Sequence, residues 1–297
     1  MFGFLNLHKP IGWTSHDCVA KVRRLCRLKR VGHGGTLDPA AEGVLPIALG
    51  RATRLLQYLP TAKQYQATVR FGVQTTTDDL EGEILATQTA TQLTREAIAT
   101  HLPQFIGQIE QVPPAYSAIQ RQGKRLYELA RAGVAVEVPP RTIEIQAIQI
   151  LNWQPGQQPE LTLQIDCGPG TYIRAIARDL GNALGVGGTL AHLVRTQSCG
   201  LTLAESQTLE QVQAQVEQAQ LRLVPPAQLL NHLGRVELDP PLAQRWCQGQ
   251  KLTEVSLSQR QPGDSLQVHQ TKGPFLGIGQ WQPEQGLIPK TVVGQAH

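Results

Sequence analysis

The stretch Leu161-Thr-Leu-Gln-Ile-Asp-Cys-Gly-Pro-Gly-Thr-Tyr-Ile-Arg-Ala-Ile-Ala-Arg-Asp-Leu-Gly-Asn-Ala-Leu-Gly185 changes its hydrophobic period partway along. Residues 161–167 alternate apolar and polar side chains, which predicts a half-buried strand. After the glycine-proline turn at 168–170, apolar residues recur at the spacing of a helix. Thr171 is the predicted N-cap of this helix, and Gly185 follows its end. The sequence therefore predicts a strand that enters a helix through a tight turn.

Other predicted elements surround this unit: alternating strands over 64–73 and 142–151, and amphipathic helices over 15–30 and 208–223. The turn-rich residues 154–159 precede the 161–167 strand, so the 142–151 and 161–167 strands are predicted to form a hairpin. Strands and helices mix without a regular βαβ order, which predicts the α+β class. Short strands from about residue 232 predict a small β-rich C-terminal domain.

Composition restricts the class of protein. The 297 residues are 41% hydrophobic and 17% charged, which excludes a disordered or coiled-coil chain. No apolar run approaches the roughly 20 residues that cross a bilayer, and no signal peptide is evident at the start, so we expect a cytoplasmic protein that does not bind membranes. Five scattered cysteines without a C-x-x-C pair argue against a disulfide framework and against a metal site.

The charge is unevenly distributed along the chain. The net charge is 27 − 23 = +4, yet residues 1–60 alone carry nine Lys or Arg against three acids. A second basic cluster lies within residues 121–131, whereas residues 200–297 hold seven basic and eight acidic side chains. Either the basic clusters are solvated helix faces, or the N-terminal two-thirds binds a polyanion.

The densest cluster of chemically useful residues is Arg30-Val-Gly-His-Gly-Gly-Thr-Leu-Asp-Pro-Ala-Ala-Glu-Gly-Val-Leu-Pro46. This glycine-rich loop holds an imidazole, His33, and a carboxylate, Asp38, that is restrained by the following proline. It lacks the spacing of a phosphate-binding P-loop, and no G-x-G-x-x-G follows a strand. Taken alone, Asp38 is most simply a turn initiator, and His33 a hydrogen-bonded loop residue.

The order of several motifs changes this interpretation, because over about its first 230 residues the sequence resembles the TruB family of tRNA pseudouridine synthases. The matching motifs lie at 6–15, 32–39 with 43–46, 63–65, 111–118, 123–127 and 170–175 with 179–181. The resemblance implies a catalytic domain over 1–230, built on a mixed, largely antiparallel sheet flanked by helices. It also implies an RNA-gripping insertion at 115–135 and a PUA-like RNA-binding domain over 232–297.

The resemblance also implies the chemistry. Family members isomerise a uridine by breaking the C1′–N1 bond, turning the uracil and rejoining it through C5, without a cofactor or a metal. Asp38 matches the catalytic aspartate, which either attacks C1′ or removes a sugar proton. Arg174 matches the arginine that pairs with it and would keep it ionised, since burial alone would raise its pKa. Tyr65 matches the aromatic residue that stacks on the uracil and handles the C5 proton.

Six further residues match family positions that surround the RNA: Lys9, His33, Lys124, Arg125, Tyr172 and Leu193. Tyr172 and Leu193 match residues of the uracil pocket, and Lys9 belongs to a Lys-Pro turn beside the catalytic loop. The target nucleotide must leave its stack before an enzyme can reach C1′ and C5. The implied substrate is the T arm at the tRNA elbow, with uridine 55 as the target and a monomeric protein as the enzyme.

Two alternatives remain open. A non-catalytic factor that opens and re-forms the tRNA elbow would need the basic surface but not the Asp38 carboxylate. A relative that works inside a guide-RNA particle is disfavoured by the short N terminus and the absence of basic tails. The chain also departs from the family pattern at Thr76, where an acid is common, and at Val194 before Arg195, where paired arginines are common. We therefore expect one ion pair or phosphate contact to be missing.

Overall fold

The structure is a computed structural model that describes residues 1–114, 120–121, 124–125, 138–255, 257 and 260–295. The side chains of residues 120, 121, 124 and 125 are not among the described atoms. Most of the predicted RNA-gripping insertion at 115–135 therefore lies outside the described residues, and so do the side chains of Lys124 and Arg125.

In this part of the chain the strands are β1 (Gly3–Lys9), β2 (Val31–His33), β3 (Glu42–Leu49), β4 (Lys63–Phe71), β5 (Val73–Thr75), β6 (Ile84–Thr87), β7 (Gly107–Gln111), β8 (Gln120–Arg121), β9 (Lys124–Arg125), β10 (Arg141–Gln154), β11 (Glu160–Cys167), β12 (Gly188–Ser198), β13 (Leu201–Thr202), β14 (Gly234–Leu238), β15 (Ser265–Gln270), β16 (Phe275–Gln282) and β17 (Gly286–Val292). The helices are α1 (Ser15–Leu25), α2 (Arg95–His101), α3 (Ile173–Ala183), α4 (Leu209–Glu217), α5 (Pro226–Leu229) and α6 (Pro240–Cys247). None of the described helices has both the length and the apolar character needed to span a membrane.

A nine-stranded mixed sheet forms the main body. Its order is β1–β3–β12–β4–β11–β10–β7, with β2 added to β3 and β13 added to β12. The β12–β3 pair is parallel, and the other pairs in this sheet are antiparallel. The α+β class with a mixed, largely antiparallel sheet is confirmed, and so is the predicted β10–β11 hairpin. Because β4 and β12 lie at the centre of the sheet, side chains on these two strands are held rigidly.

Three predicted boundaries are wrong, each because the backbone turns where the hydrophobic pattern continues. Helix α1 ends at Leu25, and Arg27 adopts a left-handed φ of 52°. Helix α4 ends at Glu217, two residues before Ala219 at φ 56°. Strand β4 ends at Phe71 because the chain turns at Gly72, which has φ 78°. The turn passes so close to Gln88 that a Cβ on Gly72 would lie 2.3 Å from the Gln88 carbonyl oxygen.

The turn that precedes α3 also differs from the prediction. The N-cap of α3 is Tyr172, and no side chain caps the helix there, so Thr171 as the N-cap is wrong. The Thr171 hydroxyl instead donates to the carbonyl of Gly168 at 3.2 Å and closes the glycine-proline turn. Gly185 follows the helix end at φ 71°, as predicted. The turn places the first residues of α3 near the start of β4, where Lys63 and Tyr65 lie.

Apolar side chains cover both faces of the main sheet. Helix α3 packs its buried residues on one face, together with the inward side chains of β4 and β11. Helices α1 and α4 pack against β1 and β3 elsewhere on the sheet, and both begin with a capping box, at Thr14 and at Thr208. Each helix is therefore stabilised at its N-terminus and along one apolar face.

The C-terminal strands form a second sheet in the order β14–β15–β16–β17, with α6 packed on it through the fully buried Trp246. This β-rich unit shares a hydrophobic cluster with the main body, which contains Phe4 and Ile278. Arg51 and Arg54 of the main body also donate to backbone carbonyls at 293 and 292, at 3.1 and 2.8 Å. The second sheet is therefore docked firmly on the first.

Candidate active site

Asp38 lies in the segment 34–41, between β2 and β3, which we call the catalytic loop. On one side the loop is held by α1, because the Ser15 hydroxyl accepts from the amide of Leu37 at 2.9 Å and donates to its carbonyl at 3.1 Å. The Lys9 ammonium donates to the carbonyl of Pro39 at 3.3 Å, and to those of Pro10 and Trp13. The contacts with Leu37 and Pro39 hold the loop through its backbone, and they do not use the Asp38 carboxylate.

The other side of the loop is held by β12. The guanidinium of Arg195, which is fully buried, donates to the carbonyls of Gly35, Thr36 and Val44 at 3.0, 3.1 and 2.8 Å. The loop is thus fixed to three elements: β1 and α1, which are close in sequence, and β12, which is about 160 residues from the loop. Gly35 adopts φ 148°, a conformation that favours glycine, where its carbonyl accepts from Arg195.

The Asp38 carboxylate pairs with the guanidinium of Arg174 in the first turn of α3. Asp38 Oδ2 lies 2.9 Å from Arg174 Nη2, and the side chains are 42% and 7% exposed. The second amino group, Nη1, lies 3.4 Å from Asp79 Oδ2 and donates to the carbonyl of Thr77 at 3.0 Å. A buried arginine therefore links an accessible carboxylate to a buried one in a charge-assisted arrangement.

A pocket opens beside this ion pair. It is lined by Thr36, Leu37, Asp38, Lys63, Tyr65, Gly170, Thr171, Tyr172, Ile173, Arg174 and Leu193. Tyr65 reaches it from β4 and is 6% exposed, and its burial raises the pKa of the phenol. Lys63 contributes an ammonium group whose pKa is lowered by burial and by the nearby charge of Arg195. The pocket thus combines aromatic and aliphatic walls with one carboxylate and flanking cations.

Tyr172 is placed in the pocket through its backbone. Its amide donates to Gln111 Oε1 at 2.9 Å, and Gln111 Nε2 donates back to its carbonyl at 3.1 Å. Gln111 is buried at the end of β7. The two bonds replace the missing side-chain cap of α3 and fix the start of the helix that carries Arg174.

His33 lies at the end of β2, outside the residues that line the pocket. Its Nδ1 accepts from the amide of Gly35 at 3.3 Å, and its ring meets the edge of His16 at a centroid distance of 5.4 Å. Burial, followed by His16 and Arg195, lowers its pKa. At neutral pH His33 is therefore an uncharged, half-buried ring at the N-terminal end of the basic helix α1.

The structure brings Asp38, Tyr65, Arg174, Tyr172 and Leu193 together around one pocket. Lys9 is not among the residues that line the pocket: its side chain is fully buried, and its ammonium donates to the carbonyls of Pro10, Trp13 and Pro39. Its role is to support the catalytic loop.

Sequence reasoning missed three residues that shape the site: Asp79, Gln111 and Arg195. Asp79 and Gln111 lie within or beside motifs that were recognised, but their partners are distant in sequence. Arg195 was considered only as a position for a phosphate contact. A detectable signal was its place two residues after Leu193 on a strand, because residues i and i+2 lie on the same face.

Comparison with known families gives the site its context. A family described as TruB family pseudouridylate synthase (N terminal domain) matches residues 23–173. The chain belongs to the TruB family of pseudouridine synthases. Two further TruB families match the remainder, the tRNA pseudouridylate synthase B C-terminal domain at 174–235 and the pseudouridine synthase II TruB C-terminal domain at 234–293. As a member of the TruB family the protein is an enzyme, an isomerase.

Full-length relatives agree with this assignment. The tRNA pseudouridine synthase B of Gloeothece citriformis (strain PCC 7424) is 58% identical over 300 residues, covering 99% of this chain and 97% of that protein. The tRNA pseudouridine synthase B of Synechocystis sp. (strain ATCC 27184 / PCC 6803 / Kazusa) is 55% identical, covering 99% of this chain and 100% of that protein.

Solved structures show the same fold. A chain from an H/ACA RNP bound to a substrate RNA containing 2′-deoxyuridine superposes with a TM-score of 0.74 at 23% identity, covering 99% of this chain and 86% of that one. A chain from a Cbf5-Nop10-Gar1 complex gives a TM-score of 0.74 at 25% identity, with the same coverage. The shared fold covers 99% of this chain, and the match therefore includes the C-terminal sheet.

Proposed function

We propose that this TruB family member converts uridine 55 in the T loop of tRNA to pseudouridine, with Asp38 as the catalytic group. The observation that carries the proposal is the Asp38 carboxylate, 42% exposed and 2.9 Å from the buried guanidinium of Arg174, at the wall of a pocket that also contains Tyr65. The enzyme acts as a cytoplasmic monomer without a cofactor or a metal.

Asp38 starts the reaction in one of two ways, by attack on C1′ or by removal of a sugar proton. In both, the C1′–N1 bond breaks and its electron pair leaves with the uracil. The freed base turns in the pocket and C5 bonds to C1′, while the Asp38–C1′ bond breaks in the first route or the sugar regains its proton in the second. C5 then loses its proton to solvent, and N1 takes up a proton. Arg174, whose Nη2 lies 2.9 Å from Asp38 Oδ2, orients the carboxylate that either route requires. The number and kind of atoms are unchanged between uridine and pseudouridine, so no external reactant is consumed.

Tyr65 and Leu193 are the residues that we propose hold the uracil. Burial raises the pKa of Tyr65, so it enters the reaction as a neutral phenol with an apolar ring face. Bases removed from a helix or loop are commonly stacked on aromatic side chains. Leu193, opposite Ala67 on the adjacent strand, offers an aliphatic surface to the other side of a planar base.

We propose that the remaining contacts with tRNA lie outside the pocket. The basic face of α1, with His33 at its N-terminal end, is suited to phosphates and to the rearranged loop bases. We propose that Lys124 and Arg125, in the insertion, also bind RNA. The C-terminal unit at 232–297 then contacts the acceptor stem as a PUA-like domain.

The test is tritium release from a tRNA transcript that carries tritium at uridine C5, because pseudouridine formation removes the C5 hydrogen. We expect about one tritium released per tRNA for the native enzyme and none for Asp38→Asn. Asp166→Asn is the matched control, since Asp166 lies on β11 and accepts only from an amide in the described contacts, Gln64 Nε2 at 2.8 Å.

Three outcomes separate the alternatives. Release by Asp38→Asn at the native rate would refute the catalytic assignment. No release by either protein, together with tight and salt-dependent tRNA binding, would favour the folding factor. Release from a transcript in which uridine 55 is replaced by cytidine would contradict the proposed target position.

A further inference from the structure

Arg195 is a fully buried arginine that lies beneath the pocket. It is on β12, in register with Tyr65 on the antiparallel strand β4. Residues opposite each other in an antiparallel pair place their side chains on the same face of the sheet, with Cβ atoms about 4.5–5.5 Å apart. The Arg195 side chain therefore begins beside the Tyr65 ring and continues beneath the catalytic loop.

The Arg195 guanidinium donates hydrogen bonds to backbone carbonyls rather than to carboxylates. Its Nη2, Nη1 and Nε donate to the carbonyls of Gly35, Thr36 and Val44, which lie on both sides of Asp38 in sequence. Among the described residues, no carboxylate lies within 4.0 Å of it. A planar fork with fixed donor directions can join both ends of a loop in this way, whereas an ammonium group is a single point.

The backbone of Arg195 is fixed to the same loop. Arg195 pairs with Gly43 where β12 and β3 run parallel, and a Cβ on Gly43 would lie 2.3 Å from the Arg195 carbonyl oxygen. Both the main chain and the side chain of this residue thus determine where the second end of the catalytic loop lies.

The charge of Arg195 also acts on the pocket. It opposes the effect of burial on the pKa of Tyr65, through its charge and through an interaction with the phenolic oxygen. It also contributes to lowering the pKa of Lys63 and that of His33. A buried cation without a carboxylate partner is costly to a fold, so its presence here is better explained by the site than by stability.

We propose that Arg195 is a positioning residue of the isomerisation: it fixes the catalytic loop at both ends and orients the Tyr65 hydroxyl, without touching RNA. This inference rests on the proposed function, because it acts through Asp38 and Tyr65. A residue that contacts phosphate would change tRNA affinity and its salt dependence. A positioning residue instead changes the rate at saturating enzyme.

The test compares Arg195→Lys with Arg70→Lys in single-turnover tritium release and in filter binding of the same tRNA. Arg70 is the matched control because it lies on β4 and pairs with Glu160 at 2.7 Å, away from the pocket. We expect Arg195→Lys to lower the single-turnover rate about 100-fold, the effect of displacing reacting groups by about 1 Å. Its tRNA dissociation constant and salt slope should stay within twofold of native. Arg70→Lys should match the native enzyme in both assays.

Each other outcome overturns the inference. A native single-turnover rate for folded Arg195→Lys would show that the planar guanidinium is not needed. Weaker tRNA binding with an unchanged rate would show that Arg195 contacts RNA. Should the lysine variant fail to fold, Arg195→Gln, which buries no charge, takes its place. Loss of folding by both would make Arg195 purely structural. Asp38→Asn is assayed in parallel, because its activity would refute the proposed function rather than this inference.

Discussion

Replacing Asp79 with asparagine tests whether the ion pairs that link Asp38, Arg174 and Asp79 contribute to stability and to catalysis. Asp79 is buried, with a side chain 9% exposed, and its Oδ2 lies 3.4 Å from Arg174 Nη1. Its Oδ1 accepts from the Thr77 hydroxyl at 2.5 Å and from the amide of Glu81 at 3.1 Å. An asparagine can keep the Oδ1 contacts. It removes the negative charge and turns an NH₂ group, which is a donor, toward the donors of Arg174.

The size of the effect follows from this geometry. Removing one partner of a buried ion pair costs about 3–5 kcal/mol, while a hydrogen bond to a charged group contributes about 1.5–3 kcal/mol. Arg174 retains Asp38 as a second carboxylate, so we expect a loss of about 2–3 kcal/mol in the free energy of unfolding. For a chain of this size that corresponds to a melting temperature lower by roughly 3–5 °C.

The same change should slow catalysis, because Arg174 then loses one of the contacts that orient it toward Asp38. We expect the single-turnover rate of tritium release to fall about 10- to 100-fold at 20 °C, with tRNA affinity unchanged. Asp166→Asn, the same substitution at an amide-paired carboxylate, should change neither property. A melting temperature within 2 °C of native together with a native rate would show that Asp79 is irrelevant to the ion pair, and the argument would fail.

Three further predictions concern the loop and the buried titratable groups. Gly43→Ala should abolish folding, seen as loss of the cooperative thermal transition, because the new Cβ would meet the Arg195 carbonyl oxygen and the backbone has φ 109°. Cys18 and Cys167, whose pKa values burial raises to about 11, should resist iodoacetamide at pH 8 in the native protein and react in urea, as read by mass spectrometry. Because burial lowers the pKa of His33, the unfolded chain binds its proton first as the pH falls below about 6.5. Urea unfolding should therefore show less stability at pH 5 than at pH 7, and His33→Gln should reduce that difference.

The local hydrophobic pattern was sufficient to predict where helices and strands occur. It was not sufficient to predict where they end. The alternation around Tyr65 and the helical spacing after Gly170 depend on the period of the side chains, which hydrophobic residues report directly. The ends depend on single residues in left-handed conformations. Arg27 and Ala219 are not typical of such positions, so nothing in their identity marks the point where a helix stops.

The residues of the candidate site also fall into two groups, those that the sequence indicated and those whose partners only the structure shows. Asp38, Tyr65 and Arg174 could be named because each stands in a motif that resembles a known family. Asp79 could not be assigned a partner, because its link to Arg174 joins residues 95 positions apart and depends on how α3 is set against the main sheet. Gln111 is a similar case: its two bonds to the backbone of Tyr172 replace a cap that sequence reasoning assigned to Thr171.

The way the catalytic loop is held bears on the role that we propose for Asp38. Asp38 is the only acidic residue in the loop, and the two buried cations that fix the loop, Lys9 and Arg195, bind its carbonyl oxygens. Had either cation bound the carboxylate, a change in the bonding or charge of Asp38 during the reaction would have weakened the hold on the loop. With the backbone held independently, the carboxylate can lose its charge or form a bond while its Cα stays in place. The interaction with Arg174 is then the one that changes along the reaction, and it is the one placed at the pocket wall.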